Sequence, residues 1–511
     1  MKRTPHETEL KLVLSPGEAA RVAKAPPLAG LVPRRGKLVA IYVDTPLREL
    51  AAKGLGLRLR REGRHWRATL KAAGSSAGGL HSRPEWEYPA PGPVLDLSRF
   101  SGTPLAELAE AQTLHERLKP VLTSEIRRTR WELAPVPGIR LEVVLDEGHL
   151  FAGTRSAPIA EIEIEVLEGP ASAAFDLAET LAEGLALRPE PASKLARGFA
   201  LAGPARARPA RAAAVDIAEV PDAREAARRI VAACLAQAQA NEEGVLHSAD
   251  IEFVHQMRVA LRRLRSAQRL FRDTLAPEER ALFADDLRWA AATLGRCRDW
   301  DVFVTQALPP LLAAHGDPMA ARAFLARARA RQRQVRQETR EALLCARYGR
   351  LMIRLARWCA SHTPPPPGTP PPKAFASACL RRGARRIRTA EAGFAHAPPA
   401  ARHALRIEVK RQRYAAEFLA SLFREAAVAR HVKRLARAQE SLGLANDSAN
   451  AFAHVAELAP GAALLEFARG WFAARESAGV QAAARDLTRA VAARRFWRRK
   501  PKAAANPAAP A

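Results

Sequence analysis

The chain has few aromatic residues. Phe, Trp and Tyr make up 6% of its 511 residues, whereas surfaces that bind single-stranded nucleic acid interleave cations with stacking rings. The scarcity therefore disfavours a nucleic-acid partner. Cysteine is scarce too. Cys234, Cys297, Cys345, Cys359 and Cys379 are scattered, odd in number and without metal-type spacing. That pattern excludes a disulfide framework and a zinc module, and is expected of reduced thiols in a cytoplasmic protein. No apolar run approaches a membrane span, and the opening MKRTPHETELKLVL has no apolar signal core. Acid is short relative to base: 53 Asp and Glu face 81 Lys and Arg, a net charge of +28. Such a surplus calls for an anionic partner: nucleic acid, an acidic membrane or a polyphosphate. What remains is globular in composition, with 48% hydrophobic and 26% charged residues, and the length has room for about three domains.

The basic residues are ordered. In HQMRVALRRLRSAQRLFR, residues 255–272, His255, Arg258, Arg262 and Arg265 share one face of a helix. Val254, Met257, Leu261 and Leu264 form an apolar stripe beside them. The spacing returns 148 residues downstream in His403, Arg406, Lys410 and Arg413. At the same offset, Leu294, Gly295 and Asp299 map onto Leu442, Gly443 and Asp447. Two matches at one offset argue for an internal duplication.

The first 200 residues instead follow the period of two that separates strand faces. Eight segments fit: 6–14, 37–45, 54–62, 65–71, 83–89, 121–133, 138–146 and 159–168. Glu7, Glu9 and Lys11 share a face. So do Arg58 and Arg60, Glu85 and Glu87, Arg128 and Arg130, Glu142 and Asp146, and Glu161, Glu163 and Glu165. Three glutamates on one strand face repel one another unless neutralised, and cations crowd the other strands. If the sheet closes, these faces look inward. The lumen then pairs carboxylates fit for a hard divalent cation with cations fit for phosphate.

These residues resemble the CYTH family of triphosphate tunnel metalloenzymes. Glu7-x-Glu9-x-Lys11 looks like its ExExK motif, and Tyr42-Val43-Asp44-Thr45-Pro46 like its strand-end motif. Leu57-Arg58-Leu59-Arg60, Leu70-Lys71, Arg128 with Trp131, Asp146 and the Glu161/Glu163/Glu165 strand follow in the family's order. Ser193-Lys194 with Arg197-Gly198 resembles its C-terminal motif, and the likeness covers residues 1–203. It implies an eight-stranded antiparallel tunnel that hydrolyses triphosphates with Mg2+ or Mn2+. Glu7 and Glu9, with members of the Glu161, Glu163 and Glu165 strand, would hold metal. Lys11, Arg58, Arg60, Lys71, Arg128, Arg130 and Lys194 would hold phosphate oxygens, with Glu7, Glu9, Lys11, Lys71 and Glu163 closest to the chemistry. A second metal or a glutamate could be the base, and the sequence does not choose. The connections at 53–56 and 74–79 carry no base-recognition insert, which favours a small inorganic substrate. Nucleoside or thiamine triphosphatase and adenylate cyclase activities are the enzyme alternatives.

Beyond a Pro/Ala/Arg linker at 204–215 the period becomes helical. TPPPPGTPPP, residues 363–372, lies between the repeats and reads as a stiff spacer, and 491–511 reads as a disordered basic and Ala/Pro tail. Residues 216–490 resemble the CHAD family of histidine-marked α-helical domains. The carriers are His255-x-x-Arg258-Val-x-x-Arg262-Arg263-x-Arg265 and its copy His403-x-x-Arg406-Ile-x-x-Lys410-Arg411-x-Arg413-Tyr414. The resemblance implies pseudo-twofold helical bundles with a basic groove that binds inorganic polyphosphate. Such a polymer carries about one charge per phosphate and no bases, so its receptor needs dense cations without stacking rings, and salt should weaken it steeply. Asp299 and Asp447 are expected to be helix-end or arginine-orienting groups rather than catalytic acids.

The expected architecture is α+β in two domains: an eight-stranded antiparallel β tunnel with flanking helices at 1–203, and all-α bundles at 216–490. The expected function is a metal-dependent inorganic triphosphatase joined to a polyphosphate-binding module, cytoplasmic and associated with polyphosphate granules. The rival from another class is a non-catalytic polyphosphate receptor.

Overall fold

The computed structural model describes residues 6–109, 114–203, 208–281, 284–361, 363–492 and 495–497. Ten strands form one antiparallel sheet: β1 (His6–Leu14), β2 (Arg34–Asp44), β3 (Gly56–Glu62), β4 (His65–Lys71), β5 (Ser75–Ala77), β6 (Leu80–Ala90), β7 (Lys119–Leu133), β8 (Arg140–Ala152), β9 (Arg155–Glu168) and β10 (Leu187–Pro189). Their order is β10-β1-β9-β8-β7-β2-β3-β4-β6-β5, and β1 also pairs with β6. That extra pairing, Glu7 opposite Arg83 and Glu9 opposite His81, closes eight of the strands into a barrel. β5 and β10 are short additions at its rim.

The alternation has the expected sense. On β1 and β9, Leu10, Leu12, Ile162 and Ile164 face outward and are fully buried. They share one core with Phe175, Ala178 and Leu181 of the helix Ser172–Gly184. Leu57, Leu59 and Leu70 are covered by Phe100, Leu105 and Leu114. With apolar side chains outside, the charged ones line the lumen. The β8–β9 hairpin runs further than expected, to Ala152 and from Arg155. Asp146-Glu147-Gly148 reads as a strand end, but Gly148 lets β7 pass close by, since a Cβ there would strike the Glu125 carbonyl.

The helical half repeats with the predicted register. The basic helices span Ile251–Leu270 and Pro399–Phe418, each 20 residues long. In the first, Val254, Met257, Leu261 and Leu264 are buried, as the stripe requires. In the second, Leu405, Val409 and Gln412 take the corresponding places. Gln412 is accommodated because Gly383 leaves room and the Leu380 carbonyl accepts its amide at 3.0 Å. The helices pack against one another: Arg262 donates to Tyr414 Oη at 2.7 Å, and Arg263 pairs with Glu417 at 3.3 Å.

The two halves share a core rather than meeting only through the linker. The helix Ala346–Ala360 packs on β10 and on the helix Ser172–Gly184. Arg188 of β10 pairs with Glu242 at 3.3 Å and Glu243 at 2.8 Å, and Tyr348 donates to Glu242 at 2.5 Å. Arg354 and Arg357 reach Glu179 at 3.4 and 3.0 Å. The linker is exposed at 211–214 but pinned at Ala210, whose backbone N–H and C=O both bond the Asn241 side chain at 3.0 Å. Of the expected linker, 204–207 lie outside the described residues, as do 493–494 and 498–511 of the expected tail. Within that tail stretch, Trp497 is buried and packs on His431, because its ring completes an aromatic cluster that a charge-rich composition hides. Among the described residues no helix is long and apolar enough to cross a membrane.

Candidate active site and anion groove

The barrel encloses a cavity of about 630 Å³. The ExExK strand enters it from β1. Lys11 bridges Glu9, at 3.0 Å, and Glu163 of β9, its register partner. Lys71 of β4 pairs with Glu7 and lies 3.4 Å from Glu85. Arg128 of β7 grips Asp146 at 2.6 Å and Glu163 at 3.1 Å. Toward another part of the cavity, Arg60 pairs with Glu87 at 2.7 Å and Arg130 with Glu62 at 2.8 Å.

The Ser193-Lys194-x-x-Arg197-Gly198 motif forms a helix start. Ser193 caps it by accepting the Ala196 N–H at 3.1 Å. Gly198 lies against Leu122 of β7, where any Cβ would collide. The close approach aims Lys194 at Asp146 (2.9 Å), Glu163 (2.9 Å) and Glu161, and Arg197 at Glu161.

Charge compensation governs protonation here. Burial alone would raise the Glu9 and Glu163 pKa values. Lys11, Lys71 and Arg83 override it at Glu9, and Lys11, Lys194 and Arg128 at Glu163, so both fall well below the usual range. Burial would likewise depress Lys194, but Asp146, Glu161 and Glu163 lift it well above the ordinary lysine value. Glu165 has no such help. Burial, then Glu7, Glu142, Glu9 and Glu85, push it up to about 7.

The lumen thus brings together Glu7, Glu9, Lys11, Arg58, Arg60, Lys71, Arg128, Arg130, Glu163, Glu165 and Lys194. Glu161 stands apart: it is fully buried behind Lys194 and Arg197 and does not line the cavity. Asp146 is likewise fully buried and off the cavity lining, and the oxygens of Asp146, Glu161 and Glu163 lie within 4.8 Å of one another, so Glu161 stays in one carboxylate group with Glu163. Sequence reasoning passed over Arg83, which sits 2.8 Å from Glu9, and left Arg197 without a role. Arg83 alternates with Glu85 and Glu87 on β6, and that alternation was the available signal. The donor set is all carboxylate oxygen, which suits a hard divalent cation. The ammonium of Lys194 among three carboxylates marks a place built for positive charge, so the residues fit a divalent cation.

In the helical half, Arg258, Arg262, Arg406 and Arg413 surround Lys410. The duplication extends to the ion pairs: Arg258 lies 3.6 Å from Asp299, and Arg406 lies 4.0 Å from Asp447. The halves are not equal. His255 is half-buried beside Arg298, Arg262 and Arg258, whereas His403 is exposed. Arg265 faces Arg288 and Arg411 rather than the Lys410 cluster.

The chain therefore joins two modules, a closed antiparallel barrel with a salt-bridged lumen and a duplicated basic helical unit. Family models match a CYTH domain at residues 5–199 and a CHAD domain at 229–456, and the chain carries both. Its N-terminal part is 32% identical over 197 residues to an inorganic triphosphatase of Haemophilus influenzae, a match covering 38% of this chain and 54% of that protein. The chain thus spans about half the length of that relative. The crystal structure of the CHAD domain from the plant Ricinus communis is 30% identical, covering 57% of this chain and 98% of that one, with a TM-score of 0.49. A putative adenylyl cyclase from Hippeastrum, described as having a dominant triphosphatase activity, is 21% identical over 38% of this chain and 95% of that one, with a TM-score of 0.31.

Proposed function

We propose that the tunnel hydrolyses inorganic triphosphate to pyrophosphate and phosphate with Mg2+ or Mn2+, and that the helical domain binds inorganic polyphosphate. The observation that carries the first half is one cavity lined by Glu7, Glu9 and Glu163 together with Lys11, Lys71, Arg83, Arg128 and Lys194. Phosphoanhydride hydrolysis is mainly positioning and charge neutralisation, and these residues supply both. Lys11, Lys71, Arg58, Arg60, Arg128, Arg130 and Lys194 hold phosphate oxygens and spread the charge that develops on them. Glu7, Glu9 and Glu163, with Asp146 and Glu161 behind, would hold the divalent cation, which would neutralise the carboxylates and acidify the attacking water. A receptor without turnover gains nothing from carboxylates that repel its ligand.

The lining favours an inorganic chain over a nucleotide. Its aromatic side chains are engaged: Tyr42 hydrogen-bonds Arg58, and the guanidinium of Arg48 lies 4.6 Å above Phe199. Tyr42 is buried, and Arg48 covers one face of Phe199. In the helical half, Lys410 and Arg262 lack a carboxylate partner among the described residues while Arg258, Arg406 and Arg413 are paired with Asp299, Asp447 and Glu417; the unpaired cations suit a base-free polyanion, and granule association would follow from it.

The test is phosphate release by the full chain on tripolyphosphate, ATP, thiamine triphosphate and long polyphosphate with either metal. Tripolyphosphate should be preferred. Glu7→Ala with Glu9→Ala should abolish metal-dependent release, and unchanged turnover in that double variant would refute the tunnel reading.

A further inference from the structure

Lys11 sits at a break in the sheet. On one side of β1, β6 pairs with His6–Leu10 and β10 with Leu12–Leu14, so neither ladder includes Lys11. Two separate bonds hold its backbone there. Its N–H donates to the Gly79 carbonyl at 2.9 Å, and its carbonyl accepts the Glu190 N–H at 2.8 Å. On the other side Lys11 lies opposite Glu163 of β9. Where these bonds put the backbone decides where the ammonium goes between Glu9 and Glu163.

Both bonds lean on the helical half. Beside the first, Gly78 lies so close to Ala356 of the helix Ala346–Ala360 that a Cβ would collide with it. The second follows directly on β10. That strand is three residues long, so its ladder with β1 is short. Its middle residue, Arg188, is buried on the barrel rim at 6% exposure. The carboxylates that pair with Arg188 among the described residues come from the helix Ala223–His247: Glu242 at 3.3 Å and Glu243 at 2.8 Å. Glu242 is held in turn by the Tyr348 hydroxyl. A chain of polar contacts therefore runs from the helical half through β10 to the backbone of a lysine in the tunnel.

We propose that Arg188 is a positioning residue for the tunnel reaction: gripped by Glu242 and Glu243, it seats β10 so that Glu190 fixes the Lys11 backbone. The helical half thereby completes the active site of the barrel. The inference rests on the tunnel reading above, in which Lys11 holds a phosphate oxygen. Arg188 does not line the cavity and acts through Lys11. A misplacement of about 1 Å near a reacting centre costs up to about 100-fold in rate, so a loosened β10 should be felt in turnover.

The experiment measures phosphate release from tripolyphosphate by the full chain with Mg2+. Arg188→Met with Glu242→Gln removes both charges of the buried pair, so neither is left alone. Its kcat should fall at least about tenfold, while its circular dichroism spectrum stays that of the wild type. In a Lys11→Ala background the same pair of substitutions should cost less than about twofold, because the group it positions is gone. A merely structural role would lower kcat by the same factor in both backgrounds. Arg354→Met with Arg357→Met breaks the contacts to Glu179 elsewhere on the interface and should leave kcat unchanged. If the buried-pair variant does not fold, Glu243→Gln takes its place: it removes the 2.8 Å contact at an exposed position and should lower kcat about twofold. Unchanged kcat in the variant tested, equal factors in the two backgrounds, or an equal fall in the control would each overturn the proposal. A wild type that releases no phosphate would refute the tunnel reading and this inference with it, whereas an active wild type with any of those three results refutes the inference alone.

Discussion

Lys194 in the tunnel and Lys410 in the groove are both withdrawn from water, and burial pushes both toward the neutral form. They end on opposite sides of the ordinary lysine value. Three carboxylates, Asp146, Glu161 and Glu163, overcome burial at Lys194 and fix its charge. Around Lys410 the neighbours are Arg262, Arg406, Arg258 and Arg413, which add to burial and bring it down to about 7. The tunnel carries its own counterions, so an entering phosphate must displace carboxylates and leave them to a metal. In the groove Asp299, Asp447 and Glu417 pair with Arg258, Arg406 and Arg413, but Lys410 and Arg262 have no carboxylate partner among the described residues, a local deficit that an anion would fill.

Salt should separate the two regions most widely. A polyanion that displaces counterions from 6–10 cations loses about 10³–10⁵ in affinity between 50 and 200 mM salt. Polyphosphate binding by the groove should approach that range, measured by titration of the full chain without metal. The tunnel cations exchange one fixed partner for another, so KM for tripolyphosphate should move by less than about tenfold over the same interval. Equal slopes would erase the distinction.

Glu163 tests the tunnel side. It touches Lys11, Arg128 and Lys194 at once. Glu163→Gln should lower kcat at least about 100-fold, the scale seen when one electrostatic contact to a reacting centre is lost. Triphosphate binding without metal should become tighter, because three cations are released from their partner. A parallel fall in binding and turnover would make Glu163 merely structural.

The sequence carried the barrel because period-two alternation is local: Glu7, Glu9 and Lys11 declare their common face without knowledge of any partner. It carried the basic helices for the same reason, and the 148-residue offset fixed their register. It could not carry what closure creates. That Arg83 meets Glu9 depends on β6 returning to β1, a pairing between distant segments. Glu161 carries the same alternation as Glu163, yet Lys194 and Arg197 seal it away from the cavity, a consequence of where one helix docks. The shared core was hidden as well, since Leu187 and Gly349 look unremarkable in their own segments.

That core gives a third test. A Cβ at Gly349 would collide with the Leu187 carbonyl of β10. β10 pairs with β1, and Glu190 donates its N–H to the Lys11 carbonyl at 2.8 Å. Gly349→Ala should cost about 1–3 kcal/mol, the usual range for overpacking. One cooperative melt at lower temperature would mark the regions as a single folding unit. Two melts, with triphosphatase activity unaffected, would mark them as independent.

The finest contrast is the pH response of Lys410. Its value near 7 in the folded protein lies below the 10.5 of a free lysine, so between those limits the unfolded chain binds more protons. Stability of the ligand-free protein from this group therefore rises with pH across that window. A bound polyanion reverses the local field and restores the proton. Binding then takes up a proton, and affinity should fall by up to about tenfold per pH unit above 7. His255 does not confuse the result: burial, then Arg298, pushes it below its ordinary value, so it is neutral throughout the window. Lys410→Arg, charged at every accessible pH, should bind polyphosphate with a flat profile from pH 7 to 9. A wild-type profile as flat as that of the variant would mean that Lys410 is already charged in the empty groove, and that the local deficit is filled after all.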